Sequence, residues 1–298
     1  MCEISRDFRF KTSSVPKILR FKTLDLWAIS IGICLTALIF NPIHGIPSPR
    51  LPVPNPRELV LIKWTSHGVH DFNVAYFFAD CQLSSKASRT EGCSFSYPAY
   101  ERIRAQQHVF AGLFAFVPPN QLEVGTERER STASGQLVSG DFFSTLGAPP
   151  MVGRTLSPDD DLPGLPPVTV LSHRYWLDHF AGDPSIIGGH IELNGVPFVI
   201  VGVASAGFQG LYPRLPTDMW LPLGARFGVD ARFPRELESD PDSVWLEIVA
   251  RLRPGVSTKE ATSALHGVLV DNIGNTSHKF KPPQIELLSA VDGLSPVR

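Results

Sequence analysis

The sequence predicts an α+β protein: a transmembrane helix near the N-terminus, followed by an exterior domain of strand–helix–strand units with an inserted mixed α/β lobe. Three observations carry that reading. Leu26–Phe40 runs for fifteen residues without a charge. Apolar strand patterns flank helical ones at both ends of the region beyond it. In the middle, Asn194-Gly195 lies between two apolar runs, the strongest short-range signal for a β-hairpin.

The first helix is justified by length and flanks. At ~1.5 Å per residue the charge-free run spans roughly 22 Å, and the stretch between Asp25 and His44 about 27 Å, against a hydrocarbon core of ~30 Å. Snorkelling side chains or a thinned bilayer close that gap. Three alternatives compete. A cleaved signal peptide needs an A-x-A-like site, but Ile39-Phe40-Asn41-Pro42 is bulky and rigid. A lipoprotein signal ending at Cys34 has the large Ile33 ahead of it. A buried core helix is the commoner reading of an apolar run of about ten to fourteen residues. The first two also place the remaining chain outside the cytoplasm.

Charge gives the orientation. Arg6, Arg9, Lys11, Lys17, Arg20 and Lys22 precede the run, whereas only Arg50 and Arg57 follow it closely. Basic residues stay on the cytoplasmic side, so the N-terminus is expected inside and residues from about 45 onward outside. The expected order is a basic cytoplasmic tail at 1–25, facing anionic headgroups, a single transmembrane helix at 26–43, and a proline-rich linker at 44–57. Five prolines among residues 45–57 fix φ and remove donors, which makes an extended spacer.

Composition narrows the function classes. With 43% hydrophobic and 19% charged residues, the chain folds rather than staying disordered. The net charge of −2 includes the basic tail, so the exterior part is more acidic, which argues against nucleic acid as a partner. Cys81 and Cys93 fall outside the membrane; an oxidising compartment permits a disulfide between them, and free thiols are the alternative.

The exterior elements follow in order. Glu58–Trp64 reads as a buried strand, and residues 65–94 as a long loop. From Pro98, apolar positions through Phe110 and Ala111 recur at helical spacing. Residues 121–138 alternate around a charged tip at Thr126–Arg130, as a hairpin does. Ser139–Gly147 offers an N-cap serine and a closing glycine. Val168–Leu171 is a short strand leading into a helix with Tyr175, Trp176, His179 and Phe180. Ile191–Leu193 and Val196–Val203 form the Asn194-Gly195 hairpin. Asp218–Leu223 reads as an edge strand, and 224–243 as a loop. Val244–Leu252, a helix from about Ser257 to Asp271 and Gln284–Leu288 complete a strand–helix–strand unit.

Many motifs in order carry a family resemblance. Phe95-Ser-Tyr-Pro-x-Tyr100, Val138-Ser-Gly-Asp-Phe-Phe143, Leu146-Gly147, Gly153-Arg154 and Pro167-Val-x-Val-Leu-Ser172 resemble the MacB-like periplasmic core domain of FtsX/MacB-type permeases. So do Phe180-x-Gly-Asp-Pro-Ser-Ile-Ile-Gly188, Leu193-Asn-Gly195, Val201-Gly-Val203 and Trp220-Leu-Pro222. The match is closest to the orphan-permease branch. It covers roughly 58–290, with an inserted lobe at about 120–225 and a short tail at 291–298.

The resemblance implies a porter-like β-α-β part plus the inserted lobe, in a bacterial inner membrane protein whose bulk is periplasmic. It implies a non-catalytic role, coupling ATPase-driven motion to export or periplasmic signalling. The implied partners are a cytoplasmic ABC ATPase subunit or domain, the remaining permease helices, the lipid bilayer and a second copy in a homodimer. Here the sequence departs sharply from the family. Nothing after Phe40 is long and apolar enough to cross a bilayer, and no G-x-x-x-x-G-K-[ST] phosphate loop is present. The expectation is either a truncated permease or a remnant that works with others. The alternative function is a membrane-tethered periplasmic binding or scaffold module without transport.

Candidate chemistry is weaker than its bland reading at every position. His67, His70 and Asp71 lack a partner pair at metal-binding spacing. Ser172, His173 and Asp178 supply triad residue types without a G-x-S-x-G elbow, and Ser172 suits a helix cap better. Asp159-Asp-Asp161 lacks the glycine and distal glutamate of a calcium loop. Tyr175, Trp176 and Phe180 fit a core stripe. Asn275-Thr-Ser277 matters only in a glycosylating host. No catalytic residue, metal site or cofactor is expected.

Overall fold

The computed structural model describes residues 50–67, 73–74, 84–86, 89–106, 108–126, 129–162, 164–230, 233, 235–273 and 284–294. The basic tail, the apolar run expected to cross the membrane, the start of the linker, His70, Asp71, Cys81 and Asn275–Ser277 lie outside them. In chain order β1 (Leu59–His67) is followed by β2 (Asn73–Val74), β3 (Ser84–Lys86), β4 (Arg89–Gly92), β5 (Ser94–Phe95) and α1 (Tyr97–Gln106). Then come β6 (Phe110–Phe116), β7 (Asn120–Thr126), β8 (Glu129–Val138), α2 (Phe142–Leu146), β9 (Pro150–Gly153) and β10 (Val168–Leu171). Next are α3 (His173–Phe180), β11 (His190–Leu193), β12 (Val196–Ala204), β13 (Met219–Pro222) and α4 (Arg226–Val229). The series closes with β14 (Ser243–Val244), β15 (Leu246–Leu252), α5 (Thr258–Ile273) and β16 (Gln284–Ser289).

These elements make a mixed α+β fold with two parts sharing one sheet. In the first, β15 lies between β6 and β1, both antiparallel to it, and β16 and β4 also pair with β1. In the second, β13, β10, β12, β11, β7 and β8 pair in sequence and β8 returns to β13, which closes a six-stranded barrel. Closure leaves the barrel without the unpaired edges that invite association. A single register pair, Phe116↔Val138, joins β6 to β8 and so joins the two parts.

The period of two along each strand sorts side chains into two cores. Val60, Ile62 and Trp64 of β1 face one cluster, together with Tyr100 and Ile103 of α1 and Ala261 and Leu265 of α5. Barrel positions Leu122, Leu137, Phe198 and Leu221 belong to that same cluster. The intervening positions Leu59, Leu61, Val138, Val170 and Trp220 face a second cluster with Phe114, Phe116, Phe142 and Phe143. That second core is an aromatic seam between barrel and main sheet. Phe114 and Phe142 meet edge-on with centroids 4.9 Å apart, and Phe143 and Trp220 do so at 5.4 Å. Such pairs each add about 0.5–1.5 kcal/mol beyond area burial.

Several expectations hold and several need correction. The hairpin at 121–138 forms as β7 and β8. The Asn194-Gly195 turn forms with φ of 48° and 79°, as a two-residue I′ connection requires. The helix from Pro98 stops at Gln106, because Phe110-Ala-Gly-Leu-Phe-Ala-Phe116 pairs along β15 as a strand. Asp218–Leu223 is no edge: β13 pairs with both β10 and β8, and all four of its residues are buried. Within 65–94 the described residues include the end of β1 and the short strands β2 to β5. Residues 224–243 contain α4, a 3-10 turn at Arg235–Glu238 and the start of β14. Ser139 does not cap α2; its hydroxyl instead accepts from the Ala115 amide at 3.1 Å, and Asp141 occupies the cap position.

Candidate functional site

The residues with chemistry to offer gather at two junctions. The first joins the linker to the sheet. Leu51 and Val53 are buried, and the Leu51 amide donates to the Val291 carbonyl at 3.2 Å. Arg251 projects from β15 into this corner. Its Nε donates to the Thr145 carbonyl at 2.7 Å, and Nη2 donates to that of Leu146 at 3.1 Å. These carbonyls belong to the last turn of α2, where helical acceptors have no partner of their own and a cation is favoured. Nη1 donates to the Asn55 carbonyl at 3.0 Å and to Glu58 Oε2 at 3.1 Å. One planar guanidinium thus binds linker, helix end and sheet at once, which lysine's single ammonium does not reproduce.

The second junction surrounds Arg226, which is 2% exposed. Its guanidinium carbon lies 4.0 Å from the Phe227 ring centroid, 5.1 Å from that of Tyr97 and 5.3 Å from that of Trp245. Tyr97 and Trp245 stack 7° from parallel. Nη1 donates to the Leu223 carbonyl at 2.7 Å, and Nη2 lies 3.1 Å from Glu238 Oε1. Burial pulls the Arg226 guanidinium below its ordinary value, and Glu238 opposes that shift. The arrangement is a cation held in an aromatic cage, joining α4 beyond the barrel to α1 and to Trp245, which leads into β15 of the main sheet.

Beside it, Asp161 ties three segments together. Its Oδ2 accepts from the Gly140 amide at 2.7 Å and its Oδ1 from the Gly224 amide at 3.4 Å. Burial pushes its carboxyl up to about 6, although both backbone donors pull the other way. Gly140 must be glycine here, since a Cβ would sit 2.1 Å from the Ser157 carbonyl oxygen. That explains the glycine of Val138-Ser-Gly-Asp-Phe-Phe143 by close approach rather than by chemistry.

Several of the positions weighed for catalysis or metal have structural duties. Ser172 accepts from the Tyr175 amide at 3.1 Å and caps α3. Asp160 takes a bidentate contact from Arg154 at 2.7 and 2.8 Å and completes a capping box with Ser157. These bonds hold the Asp160 carboxyl below the usual range in spite of its burial. His67 lies in β1, paired in register with Arg89. Among the described residues no three His, Cys, Asp or Glu side chains converge as metal ligands, and no helix is long and apolar enough to cross a membrane. Tyr175 and Trp176 are buried core residues, with Trp176 Nε1 donating to the Asp183 carbonyl at 2.9 Å. Cys93 is 1% exposed and disulfide-bonded.

The sequence reading missed both arginines. Arg251 lies within Val244–Leu252, which the sequence marks only as a strand. Arg226 lay in a stretch expected to be loop, and its cage draws on residues as distant as Tyr97 and Trp245.

Comparison with known proteins agrees with this architecture. The periplasmic region of MacB from Actinobacillus actinomycetemcomitans superimposes with a TM-score of 0.50 at 14% identity, covering 80% of this chain and 92% of that one. A domain assigned to a permease protein from Porphyromonas gingivalis does so with a TM-score of 0.54 at 14% identity, covering 80% of this chain and 91% of that one. At such identity these likenesses show the fold alone. No curated protein sequence matches the chain. The family described as MacB-like periplasmic core domain matches residues 26–268, most of the length, and the chain therefore belongs to that family.

Proposed function

We propose that this chain is the periplasmic core portion of an ABC-type permease, and that it passes ATPase-driven motion to export or to a periplasmic signal without catalysing a reaction itself. A single transmembrane helix at residues 26–43 holds it, with the N-terminus in the cytoplasm and the bulk in the periplasm. The energy comes from a cytoplasmic ABC ATPase subunit or domain, and the remaining permease helices complete the path. The observation that supports this reading best is the Arg251 junction, where the chain coming from the membrane side is bonded to sheet and helix together. A pull on the linker is then delivered to β15 and α2 rather than absorbed in slack chain.

The reading also includes a disulfide between Cys81 and Cys93, which suits an oxidising compartment. The decisive experiment removes residues 45–290 from the assembled permease and keeps the anchor. Export or signal output is expected to vanish while ATPase binding persists. Unchanged output rejects the proposal.

A further inference from the structure

The aromatic seam between barrel and main sheet contains polar atoms that the fold buries and leaves without protein partners. Gln136, 0% exposed, has neither an acceptor for its Nε2 nor a donor for its Oε1 among the described residues. Trp220, also 0% exposed, has no acceptor for its indole Nε1, and Thr217, 1% exposed, has no partner for its hydroxyl. Gln136 and Trp220 are register neighbours on the paired strands β8 and β13. Parallel register puts their side chains on the same face, and for Trp220 that face is the second core. Thr217 lies close by. A Cβ placed on Gly210 would be 2.9 Å from the Thr217 hydroxyl and 3.5 Å from the Trp220 ring.

Buried amides left unpaired are rare in folded proteins, and three such side chains around one strand pair are rarer still. The unmet demand is of two kinds. The indole nitrogen and the amide nitrogen need acceptors, whereas the amide oxygen needs a donor. Only a small species that both donates and accepts meets both demands within a packed aromatic seam. An anion satisfies the nitrogens alone, and a cation the oxygen alone.

We propose that this seam is an internal hydration site, in which ordered water bonds to the Gln136 amide and extends toward Trp220 Nε1 and the Thr217 hydroxyl. The water is then part of the joint by which the barrel sits on the sheet, satisfying groups that a dry interface leaves exposed to a low dielectric. Two measurements on the full chain test this. A crystal structure at better than about 2 Å is expected to show water density within hydrogen-bonding distance of Gln136. Thermal unfolding of Gln136→Met, a volume-conserving change that removes both polar atoms, is expected at a temperature lower by about 3 °C or more. Absence of water at the amide overturns the proposal. So does a methionine variant that unfolds at or above the parent temperature, because a dry orphan amide is improved by its removal.

Discussion

Arg251 and Glu58 are 193 residues apart in sequence, yet Nη1 of one lies 3.1 Å from Oε2 of the other. Glu58 ends the 3-10 turn directly before β1, and Arg251 stands near the end of β15, paired in register with Leu59 on one side and Gly112 on the other. The contact thus closes the domain at the point where the chain enters it. Its strength is unevenly divided. Glu58 is 30% exposed and Arg251 12%, so the arginine's bonds to carbonyls outweigh the ion pair itself.

That asymmetry is measurable by denaturant unfolding. Arg251→Ala strips donors from the Thr145, Leu146 and Asn55 carbonyls and is expected to cost about 3 kcal/mol. Glu58→Gln keeps an acceptor for the guanidinium and is expected to cost less than about 1 kcal/mol. Equal losses would put the stabilisation in the ion pair instead.

Two glycines give opposite expectations from the same substitution. A Cβ on Gly202 would lie 1.9 Å from the Arg154 carbonyl oxygen, a backbone atom that moves only if β9 separates from β12. Gly202→Ala is expected to destabilise by about 3 kcal/mol or more. Gly267 sits in the interior of α5, exposed, with nothing within 4 Å of its Cβ position. Gly267→Ala is expected to stabilise by up to about 1 kcal/mol through helix propensity. Melting curves of the two variants should move in opposite directions.

The difference between what the sequence disclosed and what it hid follows from distance. Asn194-Gly195 was legible because a two-residue turn makes local demands on φ that few residue pairs meet. Ser172 was legible as a cap because the cap bond reaches only to Tyr175. β6 was hidden because Phe110–Phe116 buries side chains on both faces, one toward Phe114 and Phe116 and the other toward Leu113 and Ala115. A strand buried on both sides loses the alternation that would announce it. Closure of the barrel was hidden for a related reason. Pro222 and the short Met219–Leu221 suggest an edge, and only the pairing with β8 and β10 shows otherwise. The Arg226 cage assembles from Tyr97, Phe227 and Trp245, and no local pattern marks such a set.

Asp161 makes stability depend on pH in a stated direction. Its folded value, about 6, lies above the ordinary 3.8 because the carboxyl is buried. A raised value means that the folded state holds the proton more tightly than the unfolded chain. The contribution is therefore complete below about pH 4 and is lost as pH rises through 6. Asp161→Asn removes this titration. Relative to the parent, the variant is expected to improve between pH 4 and pH 7 by on the order of 2 kcal/mol, whatever its constant offset. A difference between the two that does not vary with pH would contradict the assignment.

The proposed Cys81–Cys93 bond has a direct chemical readout. Intact-chain mass under denaturing, non-reducing conditions should show these two thiols refusing alkylation until a reductant is added. Cys93→Ser is expected to lower stability by about 2–4 kcal/mol, the range for losing a disulfide that closes a short loop. Alkylation of Cys81 without reductant would assign the partner of Cys93 elsewhere.

Arg226 separates packing from charge. Breaking a buried ion pair is costly when it strands the partner's charge away from water. Here the partner is Glu238, whose side chain is 49% exposed, so its carboxylate rehydrates at little cost. What remains is the volume of the arginine between Tyr97, Phe227 and Trp245, and the bond from Nη1 to the Leu223 carbonyl. Arg226→Ala empties the cage and is expected to cost about 3–4 kcal/mol. Arg226→Met refills it with an unbranched apolar chain, removes the burial penalty on the cation, and is expected to cost less than about 1.5 kcal/mol. Urea unfolding of both variants decides the matter. If methionine costs as much as alanine, the cage depends on the positive charge over the rings, and lysine should then recover part of the loss.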